Sequence, residues 1–204
     1  MASYHHENEI KFNIKDIKGI ENRLKKLGAS LLHPRTLERN YRFDTKDNRL
    51  SANHEVLRLR LDSNQWITYK KNESSKEGVQ IRNEIEFSIS DLSTAKLLLE
   101  AIGFQVFQIY EKYRTVYALN GTEVMLDELP FGSFVEIEGS YIQSIIKTAQ
   151  DLQLNLDLKI DLSYMEIFAA LCQETEQQSN KCLSENKETD AESLKRINIL
   201  PADR

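Results

Sequence analysis

Apolar and polar residues alternate along most of the first 140 positions with the period of two that marks a strand with two unlike faces. At the start, Ile10, Phe12 and Ile14 fall on one face, and Glu7, Glu9 and Lys11 on the other. Similar alternation predicts strands over residues 37–43, 55–61, 66–71, 79–89, 104–119, 123–128 and 134–138. Asp62-Ser63-Asn64 and Asn120-Gly121 supply hairpin turns, and residues 72–78, NESSKEG, read as a loop. Helical spacing takes over at Ile17, Ile20, Leu24 and Leu27, which Gly28 closes, and again over residues 91–102, closed by Gly103. Two more helices are expected over residues 142–152 and 163–172. Eight strands and four or five helices in this order make an α+β chain. The strand succession favours an antiparallel meander able to close into an eight-stranded β-barrel with helices packed outside it.

A length of 204 residues suits one sizeable domain. Residues 1–173 are read as that domain. Residues 174–204 turn polar and are expected to form a flexible tail with a short helix over 191–197. The balance of 27 basic and 32 acidic side chains lacks the basic excess of a nucleic-acid binder. Cys172 and Cys182 have no metal-ligand spacing, and a reducing compartment suits them. No apolar run approaches the length of a membrane span, and the polar start lacks a signal-peptide core, so a soluble, cytoplasmic protein is expected. All seven glycines stand singly, which excludes a glycine-rich phosphate loop.

The interleaved charges alter this picture. They are Glu7, Glu9, Lys11, Arg58, Arg60, Lys70, Arg82, Glu84, Glu86, Lys112, Arg114, Asp127, Glu136 and Glu138, seven of each sign. For any single pair the simplest reading is the solvated face of a half-buried sheet. For the whole set that reading weakens, because glutamates recur at i, i+2 and arginines are numerous. Arginine grips oxyanions through a planar fork, and clustered carboxylates suit hard cations such as Mg²⁺ or Mn²⁺. Together they describe a site for a polyphosphate and its metal. Trp66 is expected in the core, with stacking on an adenine or thiamine ring as the lesser alternative.

The ordered series resembles the CYTH superfamily, the triphosphate tunnel metalloenzymes. Glu7-x-Glu9-x-Lys11 is similar to its opening signature. Tyr41-Arg-Phe-Asp44, Leu57-Arg-Leu-Arg60, Thr68-x-Lys70 and Arg82-x-Glu84-x-Glu86 follow in the family's order. Lys112-x-Arg114, Leu126-Asp127, Phe134-Val-Glu-Ile-Glu138 and Ser163-Tyr164-x-Glu166 resemble its later motifs. Arg42 departs from the pattern, which often has an aromatic residue there. The resemblance implies an eight-stranded antiparallel tunnel and one or two Mg²⁺ or Mn²⁺ ions. It assigns catalysis to Glu7, Glu9, Glu136 and Glu138. Metal ligation would draw on these four with Glu84, Glu86 and Asp127. Triphosphate binding would fall to Lys11, Arg58, Arg60, Lys70, Arg82, Lys112 and Arg114.

The first function implied is hydrolysis of a triphosphate, whether tripolyphosphate, ATP or thiamine triphosphate. The second is class IV adenylyl cyclase chemistry on ATP, and the third a non-catalytic polyphosphate- or nucleotide-binding module. Small-molecule triphosphate is the expected partner, with no nucleic acid or membrane, in a monomer or homodimer.

Overall fold

The computed structural model describes residues 5–178 and 191–203. Eight antiparallel strands close in a ring in the order β1-β5-β4-β3-β2-β6-β7-β8. They are β1 (His5–Ile14), β2 (Ser30–Asp44), β3 (Glu55–Leu61), β4 (Gln65–Lys76), β5 (Val79–Ser88), β6 (Gln105–Leu119), β7 (Thr122–Leu129) and β8 (Gly132–Gly139). Helices α1 (Ile17–Lys26), α2 (Arg49–Ala52), α3 (Leu92–Ala101), α4 (Ile142–Asp151), α5 (Tyr164–Gln178) and α6 (Ala191–Arg196) complete an α+β architecture. No helix among the described residues is long and apolar enough to cross a membrane.

The chain divides into two compact units. The first holds the described residues of Met1–Asn8 and Arg35–Arg114. Its core gathers Phe43, Leu50, Leu57, Leu59 and Leu99, with Tyr41 and Ile67 packed against them. Helices α2 and α3 therefore cover one face of β2, β3 and β4. The opposite face carries the charges, and the register fixes its rows. Asn40 pairs with Arg60, and Arg42 with Arg58. Arg60 pairs in turn with Trp66, and Arg58 with Thr68, which stands opposite Glu86 on β5. Directly opposed residues share a face, so these side chains project together.

Two expectations about the strands change, and one short helix is added. The segment 72–78 is a continuation of the β4–β5 hairpin, not a loop. Both strands pair out to Lys76 and Val79, with a bulge between Asn72 and Ser74. Glu77 and Gly78 turn with positive φ of 55° and 77°, the requirement of a two-residue type I′ turn. Its exposed polar residues, which lack apolar alternation, hid the strand. Strand β2 starts at Ser30 rather than at residue 37, because Leu31-Leu32-His33-Pro34 has no alternation to betray it. Helix α2, too short for any periodicity, is organised by the Asp44 carboxylate, which accepts from the Leu50 and Ser51 amides at 2.8 and 3.0 Å.

The second unit holds Glu9–Pro34 and the described residues of Thr115–Arg204. Helix α1 is capped by the Asp16 carboxylate, which accepts from the Gly19 amide at 2.9 Å, and it buries Ile20 and Leu24. Helix α4 packs on β7 and β8 through Ile145 and Ala149. A separate core joins Phe131, Phe134, Ile160, Tyr164, Ile167 and Leu171 to Leu194 and Ile199.

Those last two residues lie where composition alone suggests a flexible tail. Residues 191–203 carry α6 and dock on this unit, while residues 179–190, and the outermost residue 204, fall outside the described residues. Leu194 is buried against Gly132, where an added Cβ would come within 2.7 Å of its Cδ1. The Ala202 amide donates to the Asn13 carbonyl at 2.9 Å, and the Asp203 carboxylate accepts from the Lys15 and Asp16 amides at 2.9 and 2.8 Å. A few apolar anchors and backbone hydrogen bonds outweigh the polar average of the segment. Leu194→Ala is therefore expected to lower stability by about 2–5 kcal/mol, the usual loss for a buried leucine in a packed core. Chemical denaturation monitored by circular dichroism measures it, and a loss below about 0.5 kcal/mol would show the segment to be a loose attachment.

Candidate active site

Over residues 7–14 of β1 no side chain is left solvated. Glu7, Glu9 and Lys11 are only 4%, 6% and 4% exposed, while Ile10, Phe12 and Ile14 on the alternate face are buried as well. The solvated-sheet reading fails here. Lys112, Glu136, Asp127 and Glu38 are equally buried. Buried ionised groups are costly unless paired or bonded, so their partners define the site.

In the first unit, the Lys70 ammonium lies 2.6 Å from both Glu7 carboxylate oxygens and 3.3 Å from Glu84. Burial pushes the Glu84 carboxyl above its ordinary range; Lys70 opposes this, and the neighbouring Glu7 and Glu86 carboxylates add to it. Glu86 is held differently. It accepts from the Thr68 hydroxyl at 2.6 Å and the Arg60 guanidinium at 3.2 Å, with Arg58 at 3.6 Å. Thus Glu86 orients two arginines.

The same face carries an acid that sequence analysis missed. Glu38 meets Lys112 at 3.6 Å and Arg114 at 3.9 Å. Burial works against ionisation, but Lys112, Arg114, Arg60 and Arg58 outweigh it and hold the Glu38 carboxyl down at about 2. Its signal was present as Glu38-x-Asn40-x-Arg42, charged or polar positions at a spacing of two. Trp66, expected in the core, is half-buried instead. It shares the face of Thr68 and Lys70, and its ring centroid lies 5.4 Å from the Arg60 guanidinium. Arg82 hydrogen-bonds Gln80 on its own strand, pairing with Asn72 at the bulge.

In the second unit, Lys11 plays the part that Lys70 plays in the first. Its ammonium lies 3.1 Å from Glu136 and 3.7 Å from Glu9, donates to the Leu162 carbonyl at 3.3 Å, and stands 4.4 Å from the centroid of the Tyr164 ring. The Tyr164 hydroxyl donates to Asp127 at 2.8 Å, and its ring meets Phe134 edge-on at 5.1 Å. Helix α5 therefore brings one tyrosine against both the lysine and the aspartate, a role no strand pattern foretold. Glu138 shares the β8 face of Glu136 and is half-buried opposite Glu123.

The donor chemistry fits a hard divalent cation. Every candidate ligand is a carboxylate, and the crowded Glu84 would be relieved by added positive charge. Among the described residues, no three such groups already converge on a metal position. A lysine ammonium lies between each carboxylate pair instead, Glu7 with Glu84 and Glu9 with Glu136.

A family model described as the CYTH domain matches residues 5–155. The chain belongs to the CYTH family. A protein of Methanocaldococcus jannaschii named putative adenylate cyclase is 28% identical over 172 residues, which span 79% of this chain and 97% of that one. The crystal structure of a protein from Vibrio parahaemolyticus, also named putative adenylate cyclase, superposes with a TM-score of 0.72 at 22% identity, covering 82% of this chain and 99% of that chain. A Hippeastrum protein described as a putative adenylyl cyclase with a dominant triphosphatase activity has a TM-score of 0.61 at 19% identity, covering 80% and 95%. These structural likenesses show a shared fold.

The Glu38 cluster makes a prediction with a definite sign. A carboxyl depressed from 4.5 to about 2 adds stability that is present above the unfolded value and lost as pH falls through the folded one. Acid titration of wild-type stability should therefore fall between about pH 4.5 and pH 2, with a component missing in Glu38→Gln. At neutral pH the variant should be less stable by about 3 kcal/mol, the cost of taking one member from a buried ion pair. Superimposable pH profiles for the two proteins would refute this account of Glu38.

Proposed function

We propose that this CYTH protein is a divalent-metal-dependent hydrolase of triphosphate substrates, with inorganic tripolyphosphate as the simplest. One observation carries the reading: charges of both signs are buried on the strand faces of both units, at a desolvation cost that a surface sheet never incurs. A metal-bound polyphosphate is a ligand that makes use of both signs.

Glu7, Glu9, Glu84, Glu136 and Glu138 supply carboxylate oxygens for Mg²⁺ or Mn²⁺. When bound there, a divalent ion neutralises phosphate charge and acidifies a coordinated water. On substrate binding, Lys11 and Lys70 exchange carboxylate for phosphate oxygens. Arg58, Arg60, Arg82, Lys112 and Arg114 take the remaining oxyanions. Glu86 keeps Arg58 and Arg60 aimed, and Tyr164 keeps Lys11 and Asp127 in place. Water then attacks a terminal phosphorus, and the P–O bond to the leaving diphosphate breaks. Positioning and charge neutralisation are what phosphoryl transfer asks of a protein.

The second reading is an adenylyl cyclase of class IV type, favoured by the name of the Methanocaldococcus jannaschii relative. There the same residues would hold ATP while its ribose 3′-hydroxyl attacks the α-phosphorus. The Hippeastrum protein, described by its dominant triphosphatase activity, favours hydrolysis.

Assays with tripolyphosphate, ATP and thiamine triphosphate, in Mg²⁺ or Mn²⁺, separate these readings. Phosphate release from tripolyphosphate is expected, and it should cease on chelation. Cyclic AMP from ATP, with little phosphate from tripolyphosphate, would reverse the order. Glu9→Gln and Glu138→Gln should each lower kcat by at least about 10²-fold with unchanged circular dichroism, the scale of losing a single charge-stabilising group. Turnover within a few-fold of wild type in both would sink the metal assignment.

A further inference from the structure

Asn40 is fully buried on β2, yet neither its amide nitrogen nor its carbonyl oxygen has a hydrogen-bond partner. Buried polar groups are nearly always satisfied, and leaving one unpaired is costly, so an orphaned amide calls for an explanation. Its location supplies one. Asn40 stands directly across from Arg60, one row from Arg58, on the strand face that carries Glu38. In this patch the Nε groups of Arg58 and Arg60 also lack hydrogen-bond acceptors, although Arg60 Nε lies 3.1 Å from the Asp62 carboxylate. Two acceptors of the patch, Glu38 Oε2 and the Asn40 carbonyl oxygen, are without a hydrogen-bond partner as well, against four N–H groups on the Asn40 amide and the two arginine Nε atoms, so donors still outnumber acceptors. An acceptor-rich anion corrects such an imbalance, whereas a further cation would worsen it.

We propose that Asn40 is a substrate-binding residue, its side-chain Nδ2–H donating to an oxygen of the bound triphosphate. The inference rests on the triphosphate reading above and adds to it a neutral contact that the charge pattern could not reveal. A neutral amide suits this position. Aspartate would repel the polyanion and pair with the arginines, and a lysine would add charge to a patch that already has four cations about Glu38. In the ligand-free protein the unpaired amide is a local penalty, which is the form that stability given up for binding takes at functional sites.

The experiment compares wild type, Asn40→Leu and Asn40→Asp as full chains. Calorimetric titrations are run in Mg²⁺ with non-hydrolysable imido analogues of tripolyphosphate and of ATP, which keep the metal-bound ligand without turnover, and each ligand-free Tm is recorded. Both variants are expected to bind both ligands at least about tenfold more weakly, the size of one charge-assisted hydrogen bond. The ligand-free Tm of Asn40→Leu should equal or exceed that of wild type, since a hydrophobic side chain removes the orphaned groups. Asn40→Asp, of the same shape, keeps the test open if leucine does not fold. Wild-type affinity in either folded variant overturns the proposal, as does a loss confined to ATP, which would place the contact on the nucleoside. A wild-type protein that binds neither ligand overturns the triphosphate reading itself, and this contact with it.

Discussion

Taking an ion out of water is the constraint on which the arrangement of this protein turns. A carboxylate or an ammonium loses several kcal/mol of solvation on burial, even after the surroundings relax. Strand β1 buries three such groups in five residues. Coulomb attraction at contact distance offsets the loss only where a partner of opposite sign lies within about 4 Å. Strand register makes that possible. It sets Lys70 across from Glu84, and Arg58 across from Thr68, which in turn faces Glu86. Lys70 and Glu84 thus meet across adjacent strands, whereas Glu7 reaches Lys70 from two strands away and Glu9 meets Lys11 on its own strand.

The proposed function has this pairing exchanged on ligand binding. Lys70 lies between Glu7 and Glu84, and Lys11 between Glu9 and Glu136, so each ammonium neutralises two acids at once. The acids are the donors a divalent cation prefers, and the lysines are the point charges a phosphate prefers. In the proposed function, a metal-bound polyphosphate would replace both kinds of contact. The arginine patch about Glu38 is more rigid. Glu86 and Thr68 hold its guanidiniums in fixed directions, the pre-organisation that electrostatic catalysis requires.

Support for these faces comes from the opposite side of each strand. In the first unit α2 and α3 cover Leu57, Leu59 and Phe43. In the second, the core of Phe131, Ile167, Leu171 and Leu194 fixes α5, and with it the tyrosine that touches both Lys11 and Asp127. The docked segment at residues 191–203 also holds the backbone of Asn13, Lys15 and Asp16, at the end of the strand that carries Glu7, Glu9 and Lys11. A stretch beyond the residues matched by the family model thereby joins the core beside the candidate site.

Sequence alone determined the strand count and the faces of the central strands. Period-two alternation is a backbone property, so Glu7, Arg58, Glu86 and Glu136 could be placed on shared faces without coordinates. The ordered motifs pointed to the CYTH family for the same reason. Where alternation was absent, at residues 30–36 and 72–76, the strands went unseen. Tertiary structure decided whether the charged faces were wet or dry, because burial depends on what closes over a strand and not on the strand itself. It also decided the partners. Glu38 acquires four cations, and Tyr164 reaches from a helix to a lysine more than 150 residues away in the chain. Asn40 is left buried with no partner at all. Distances between residues remote in sequence are set by packing, which no local pattern encodes.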